Sequence, residues 1–248
     1  MKISLVTACY NSNETIRDTL QCIAEQAYPT IEHIIIDGFS SDNTLAIVKE
    51  FPHVAKIVCE KDKGIYDAMN KGISMASGEI IGILNSDDLY THDRVVSNVM
   101  EKFTDETVDI VYGDLQYVNR QKTSKVVRTW KAGNYTTSSF YFGWMPPHPS
   151  FFVRKRVYDQ FGLFRLELKT AADYEIIIRF LLKNKLKATY LPEVLVKMRM
   201  GGASNASLKQ RIRANQEDYW AWRMNKLRPN PFTLILKPLR KIKQFLIR

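Results

Sequence analysis

An apolar run that ends abruptly in a polar loop recurs four times within the first ninety residues, and this repetition restricts the fold more than any other feature. Lys2 to Ala8 is β-rich and gives way at Cys9-Tyr10-Asn11-Ser12-Asn13 to a helical pattern from Glu14 to Ala27, with Ile16, Leu20, Ile23 and Ala27 on one stripe. Ile31 to Asp37 is the second run. Gly38-Phe39-Ser40-Ser41-Asp42 then leads into a helix from Asn43 to Phe51, for which Asp42 or Ser41 is the expected N-cap. Lys56 to Glu60 is the third, followed by Lys61-Asp62-Lys63-Gly64 and a helix striped by Ile65, Met69, Ile73 and Ala76. The fourth, Ile80 to Leu84, is too short for a helix and delivers Asn85, Ser86, Asp87 and Asp88 to its end. Four strand-loop-helix units predict an α/β fold with a Rossmann-like, mostly parallel sheet covered by helices on both faces.

In such a sheet the ligand site lies outside the carboxyl ends of the strands, where Thr7, Asp37, Asp62 and Asp87 fall. Several acids at one edge fit a ribose, a base and a metal-bound phosphate. Adjacent carboxylates repel, and a cation between them and an anionic ligand keeps both ionised. Hard oxygen donors at Asp87 and Asp88 suit Mn²⁺ or Mg²⁺, which fill their remaining positions with water and phosphate oxygens. The plainer reading is a surface turn or the cap of a helix starting near Asp93. The first loop has no glycine, so it lacks the Gly-x-Gly-x-x-Gly of a dinucleotide-binding dehydrogenase, and no Walker-type loop occurs either. The phosphates of a nucleotide diphosphate would then be held through the metal on Asp87.

At 248 residues, 45% hydrophobic and 25% charged, the chain can bury a full core. No apolar run is long enough for a membrane span and Met1-Lys2 leads straight into a strand, which predicts a cytoplasmic protein. Cys9, Cys22 and Cys59 lack metal or redox spacing and read as reduced core residues. The net charge of +10 calls for an anionic partner, and from Tyr219 to Arg248 there are eight Lys or Arg residues and no acid.

Four ordered motifs resemble glycosyltransferase family 2, the inverting nucleotide-sugar transferases of GT-A fold, over Lys2 to about Met200. They are Ser4-Leu5-Val6-Thr7-Ala8-Cys9-Tyr10-Asn11, Ile34-Ile35-Ile36-Asp37-Gly38-Phe39-Ser40-Ser41-Asp42-Asn43-Thr44, Asp62-Lys63-Gly64-Ile65-Tyr66-Asp67-Ala68-Met69-Asn70-Lys71-Gly72 and Leu84-Asn85-Ser86-Asp87-Asp88. The resemblance implies that Thr7 and Tyr10 border the nucleoside, with Tyr10 stacking on the base, and that Asp37 and Asp62 contact base and ribose. Asn85, Ser86 and Asp87 would occupy the family's Asp-x-Asp site, with Asn85 in place of its first acid and Asp88 compensating at the metal. It also sets His148 near the donor diphosphate and makes Asp173, in Ala171-Ala172-Asp173-Tyr174-Glu175, the base that takes the acceptor hydroxyl's proton. A helix N-cap is the structural alternative for Asp173.

On this reading residues 1–206 form the catalytic domain, with a nucleotide-sugar-binding half at 1–114 and an acceptor-binding half at 115–206, and 207–248 form a helical extension. Within the second half, Val108 to Tyr112 and Leu115 to Val118 read as separate strands divided by Gly113-Asp114, and Thr123 to Trp130 as the antiparallel partner of the latter. Lys131 to Pro149 reads as a loop whose Tyr135, Phe140, Tyr141, Phe142 and Trp144 either stack on sugars or pack as core. Ala188 to Pro192 and Val194 to Met200 read as two strands, and Gly201-Gly202-Ala203-Ser204 as a turn that could close over phosphate. Arg179 reads as a fold-supporting residue.

Phe232 to Arg248 carries Ile235, Leu239, Ile242 and Leu246 on one stripe, with Lys237, Arg240, Lys241 and Arg248 away from it. Such a basic amphipathic helix suits an anionic membrane surface on the inner face of the cell membrane, or else a docking or partner contact. The expected partners are a nucleotide-sugar donor and a saccharide or polyprenyl-linked acceptor for surface polysaccharide, with no nucleic acid, because clustered strand-end acids repel it. The other classes weighed are a sugar-phosphate nucleotidyltransferase, which would need a Gly-rich basic loop after the first strand, and a non-catalytic RNA-binding protein using the basic tail.

Overall fold

A computed structural model describes residues 1–201 and 208–243. The four expected strands form as β1 (Ile3–Cys9), β2 (Ile31–Asp37), β3 (Val54–Cys59) and β4 (Ile80–Ile83), joined by α1 (Ile16–Ala24), α2 (Thr44–Val48) and α3 (Ile65–Met75). Next come β5 (Asp88–Tyr90), α4 (Val95–Lys102), β6 (Ile110–Val118), β7 (Val126–Trp130) and α5 (Thr137–Tyr141). A 3₁₀ turn at His148–Ser150 leads to β8 (Phe151–Arg154) and α6 (Lys155–Phe161). The helix α7 (Ala172–Ile177) continues as a π-helical turn, Ile178–Lys183, before β9 (Ala188–Arg199), α8 (Leu208–Met224) and α9 (Thr233–Lys243).

One sheet runs β3-β2-β1-β4-β8-β6-β9-β5, with β7 paired to β6. β1, β2, β3 and β4 are mutually parallel and β6 is parallel to β9, while β8 runs against its neighbours β4 and β6. Six strands therefore point the same way and end at one edge. Side chains alternate between its faces. Val6, Ala8, Ile34 and Ile36 meet Ala68, Met69 and Ile73 of α3 on one face. Ile3 and Leu5 pack with α4, and Ile35 and Cys9 with Ile16, Leu20 and Val48 of α1 and α2, on the other. Central β1 is buried at every position, whereas edge strand β3 alternates.

Several local expectations change. β6 is one strand of nine residues, because Gly113 continues it: a Cβ there would lie 2.6 Å from Leu195 and 2.9 Å from the Glu193 carbonyl, so only glycine admits β9 so closely. The register jumps from Tyr112↔Tyr190 to Asp114↔Val194, and this bulge lets β9 carry Pro192 through twelve residues instead of splitting at it. The segment after β7 holds α5 and is mostly core: Phe140 and Trp144 are buried and Tyr135 stacks on Trp144 with centroids 4.6 Å apart, leaving Phe142 exposed. Asp88, expected in a loop, opens the short strand β5. The N-cap of α2 is Asn43, and Asp42 instead accepts from the Thr44 and Asn13 amides. Cys9 is buried, but Cys59 is exposed and Cys22 half-buried, so only one of the three thiols is a core residue in full.

The expected boundary at 206/207 does not separate two cores. α8 buries Ala221 and Trp222 in the same cluster as α7, and the Trp222 indole N–H donates to the Tyr174 hydroxyl at 3.0 Å. Asn225 donates to Glu175 Oε1 at 3.0 Å. Residues 202–207 and 244–248, which include most of the Gly201–Ser204 turn and the stripe residue Leu246, lie outside the described residues. Among the described residues no helix is long and apolar enough to cross a membrane.

Candidate active site

The loops after β1 to β4 meet at the shared strand edge. Tyr10, 63% exposed, stands beside Gly38 and Asp62: a Cβ on Gly38 would fall 2.6 Å from Asp62 Oδ2 and 3.4 Å from the Tyr10 ring. The Gly64 amide donates to Asp62 Oδ1 at 2.8 Å, which turns the other oxygen toward that gap. Phe39 adopts φ 69°, a strained value for a bulky residue, and is exposed at the same rim with Lys61 5.9 Å over its ring. The first and fourth loops are tied by Ser12 and Ser86, whose hydroxyls lie 2.9 Å apart.

Three residues expected to face a ligand are buried among protein partners at this edge. Thr7 is fully buried with its hydroxyl 3.1 Å from His33 Nε2, because it sits two residues short of the strand end on the α1/α2 face. Asp37 is also fully buried. It accepts from the Ser40 amide at 2.9 Å, from the Ser40 hydroxyl and from the Cys9 and Cys59 thiols, so it shapes the β2 loop. Asp88 points inward from β5, where Asn85 Nδ2 donates to its Oδ2 at 3.0 Å while Asp88 Oδ1 and Asn85 Oδ1 stay buried with no partner among the described residues.

Asp87 is half-buried, the less enclosed of the two adjacent carboxylates. Burial raises its pKa, against the pull of Arg120 and Arg199. Burial, then the neighbouring Asp87 charge, drives Asp88 well above the usual carboxylate range. Arg199, which the sequence reading passed over, braces the loop from the end of β9. Its guanidinium donates to the carbonyls of Asp87 and Arg120 at 3.0 Å each and pairs with Asp18. Among the described residues no three His, Cys, Asp or Glu side chains are gathered as a metal cluster.

Across the edge stands Asp173. Its Oδ1 accepts from the Tyr174 amide at 2.8 Å and from the Tyr66 hydroxyl at 3.2 Å. It is the second residue of α7, whose N-cap is Ala171, so it does not cap the helix. The capping work is done by Glu217 of α8, which accepts from the Thr170 amide and hydroxyl at 2.7 and 2.9 Å and from the Ala171 amide at 3.2 Å. His148 lies near enough to feel the Asp173 charge, but burial dominates and lowers its pKa, so the imidazole is neutral at neutral pH. Its ring meets Phe164 edge-on at 5.4 Å, and Phe164 stacks on Tyr66 at 5.5 Å. Tyr117 links the two sides: the charges of Asp88 and Asp173 both reach it, and Arg128 lies 3.6 Å over its ring. Arg179 supports the fold, as expected, bonding Glu175 and the carbonyls of Phe161 and Leu163 at 2.7 Å each.

Polar strand ends, with a carboxylate of α7 bonded to Tyr66 of α3 beside them, make the frame of a group-transfer site. The chain belongs to glycosyl transferase family 2, whose match covers residues 4–162. It is 29% identical over 211 residues to a PGL/p-HBAD biosynthesis glycosyltransferase of Mycobacterium bovis, covering 82% of this chain and 78% of that protein. Among solved structures it resembles S. aureus TarS 1-349 in complex with UDP-GlcNAc, with a TM-score of 0.70 at 19% identity over 91% of this chain and 65% of the other. This chain thus spans just under two thirds of that one. It also resembles the mannosyltransferase PcManGT from Pyrobaculum calidifontis in complex with GDP-Man and Mn2+, with a TM-score of 0.65 at 20% identity over 99% of this chain and 69% of the other. The fold is GT-A, as the motifs implied.

Proposed function

We propose that the chain transfers one sugar, with inversion, from a nucleotide diphosphate donor to a hydroxyl of a saccharide or polyprenyl-linked saccharide acceptor in surface polysaccharide synthesis. The observation that carries this reading is Asp173, with Oδ1 doubly hydrogen-bonded and Oδ2 free of any bond from a described residue, opposite the strand-end loops. A carboxylate so held is a base with one oxygen committed to orientation and the other open to a hydroxyl proton. The acceptor oxygen attacks the anomeric carbon from the face opposite the donor oxygen, its proton passes to Asp173 Oδ2, and the bond to the diphosphate breaks with its electron pair leaving on the diphosphate.

Tyr10 offers its exposed ring to the base, Asp62 its open oxygen to base or ribose, and Ser86 and His148 flank the diphosphate. UDP is the favoured nucleotide, in keeping with the UDP-GlcNAc bound by TarS. The residues fit a divalent cation on one condition. Asp87 would be its protein ligand, with donor phosphates and water completing the set, since Asp88 faces inward. Buried oxygens of Asp88 and Asn85 without partners, next to an Asp87 that burial makes costly to ionise, fit a cation nearby. When bound, Mn²⁺ or Mg²⁺ would offset negative charge on the departing diphosphate.

The C-terminal helices support attachment to an anionic membrane surface, peripheral to the inner face of the cell membrane. Trp220, Tyr219, Phe232 and Leu239 are exposed on α8, α9 and the segment between them, along with Arg223, Lys226, Arg228 and Arg240.

The test is a panel of nucleotide sugars with Mn²⁺, Mg²⁺ or chelator, scored by release of nucleotide diphosphate. One donor should dominate, chelator and Asp87→Ala should abolish turnover, and Asp173→Asn should lose at least about a thousandfold in kcat while still binding donor. Full turnover by Asp173→Asn overturns its role as base.

A further inference from the structure

The motif Asp62–Gly72 contains a side chain that the reaction as described leaves unused. Tyr66 lies in the first turn of α3, on the nucleotide side, yet its hydroxyl reaches 107 residues along the chain to Asp173 Oδ1 at 3.2 Å. Two further contacts fix its ring. Tyr66 stacks on Phe164 with centroids 5.5 Å apart and planes 25° apart. One helical turn on, Asn70 clasps the backbone of the same Phe164, donating to its carbonyl at 2.8 Å and accepting from its amide at 2.9 Å. The i and i+4 positions of α3 thus hold one partner, and the tyrosine hydroxyl is left directed at Asp173.

We infer that Tyr66 is a positioning residue for the reaction: its hydroxyl pins Asp173 Oδ1, and so turns Oδ2 toward the acceptor hydroxyl. This inference rests on the reading of Asp173 as the base. Oδ1 also takes the Tyr174 amide, but that bond lies within α7 and does not tie the carboxylate to another element. The Tyr66 donor comes from across the cleft and closes that freedom. Burial, and then the Asp173 charge, hold the Tyr66 hydroxyl pKa well above its usual value, so it remains a donor wherever Asp173 is ionised. Because α3 begins three residues after Asp62, the same short segment meets the nucleoside side at one end and sets the base at the other. Donor binding and base alignment then share one rigid element.

Tyr66→Phe tests this, since it keeps the stack on Phe164 and removes only the hydroxyl. Purified parent, Tyr66→Phe, Tyr66→Leu and Asp173→Asn are compared with the donor found in the panel, measuring kcat, KM for donor and acceptor, and melting temperature. Tyr66→Phe should lose about ten- to a hundredfold in kcat, the scale of one hydrogen bond to a charged group, with both KM values and the melting temperature at parent level. Tyr66→Leu, which also loses the stack, should in addition melt lower. A parent-like kcat in Tyr66→Phe overturns the inference, as does a loss matched by a raised donor KM or a lowered melting temperature, which would mark a packing role. An active Asp173→Asn would instead remove the base on which the inference stands, so the two failures are told apart.

Discussion

The motif resemblance implies an acid where this chain has Asn85, and the surroundings of Asn85 suit the amide. Its amide nitrogen donates to Asp88 Oδ2, a buried carboxylate whose pKa burial and Asp87 push well up. An aspartate at 85 could not donate that bond while ionised and would add a third negative charge beside two crowded ones. An acid whose native pKa is raised contributes stability that is full below its unfolded pKa and is lost as pH rises toward the native value. Asn85→Asp should therefore be near parent stability at about pH 3, where carboxyls protonate in both states, and lose about 2–4 kcal/mol at pH 8. Urea unfolding at the two pH values checks this, and a loss equal at both would refute it.

At the scale of elements, α8 packs into the same core as α7. Its Glu217 satisfies the amides at the start of α7, Trp222 fills the core behind Tyr174, and Asn225 reaches Glu175. Farther on, Lys237 of α9 pairs with Asp218 at 2.6 Å and lies 3.5 Å over the Tyr174 ring. The short helix bearing Asp173 is thus held from a segment outside the family match. Trp222→Ala should cost about 3–5 kcal/mol, a core cavity with a lost hydrogen bond, as read by denaturant midpoint. A change below about 1 kcal/mol would mean that α8 is only loosely docked.

For the molecule as a whole, the excess of cations is spatially sorted. Glu217 and Asp218, the last acids of the chain, are both buried against α7 and α9, so the outer surface that follows is cationic and aromatic. Sedimentation with phosphatidylglycerol vesicles should retain the protein at low salt, and retention should weaken as salt screens the cations, each worth about 1 kcal/mol near the surface. Trp220→Ala with Phe232→Ala should reduce it about tenfold without changing kcat on a soluble acceptor. Equal retention on neutral phosphatidylcholine would rule out the electrostatic part.

Periodicity and local chemistry by themselves determined the first four strands, the helices between them, the polar edge they share and the motifs that name the family, because each depends on residues a few positions apart. The candidate base Asp173 came from the family resemblance, since by local pattern alone it reads equally as a helix cap. Depth was decided only by the tertiary structure. Thr7, Asp37 and Asp88 look like edge residues along the chain, yet each is spent below the surface on partners, at His33, Ser40 and Asn85, that only the folded register selects. Tyr66 on Asp173 and Glu217 under α7 join residues 107 and 46 to 47 positions apart, and such separations leave no periodic trace. Strand ends follow from local preference, whereas which side chain reaches the cleft depends on how three layers close over one another.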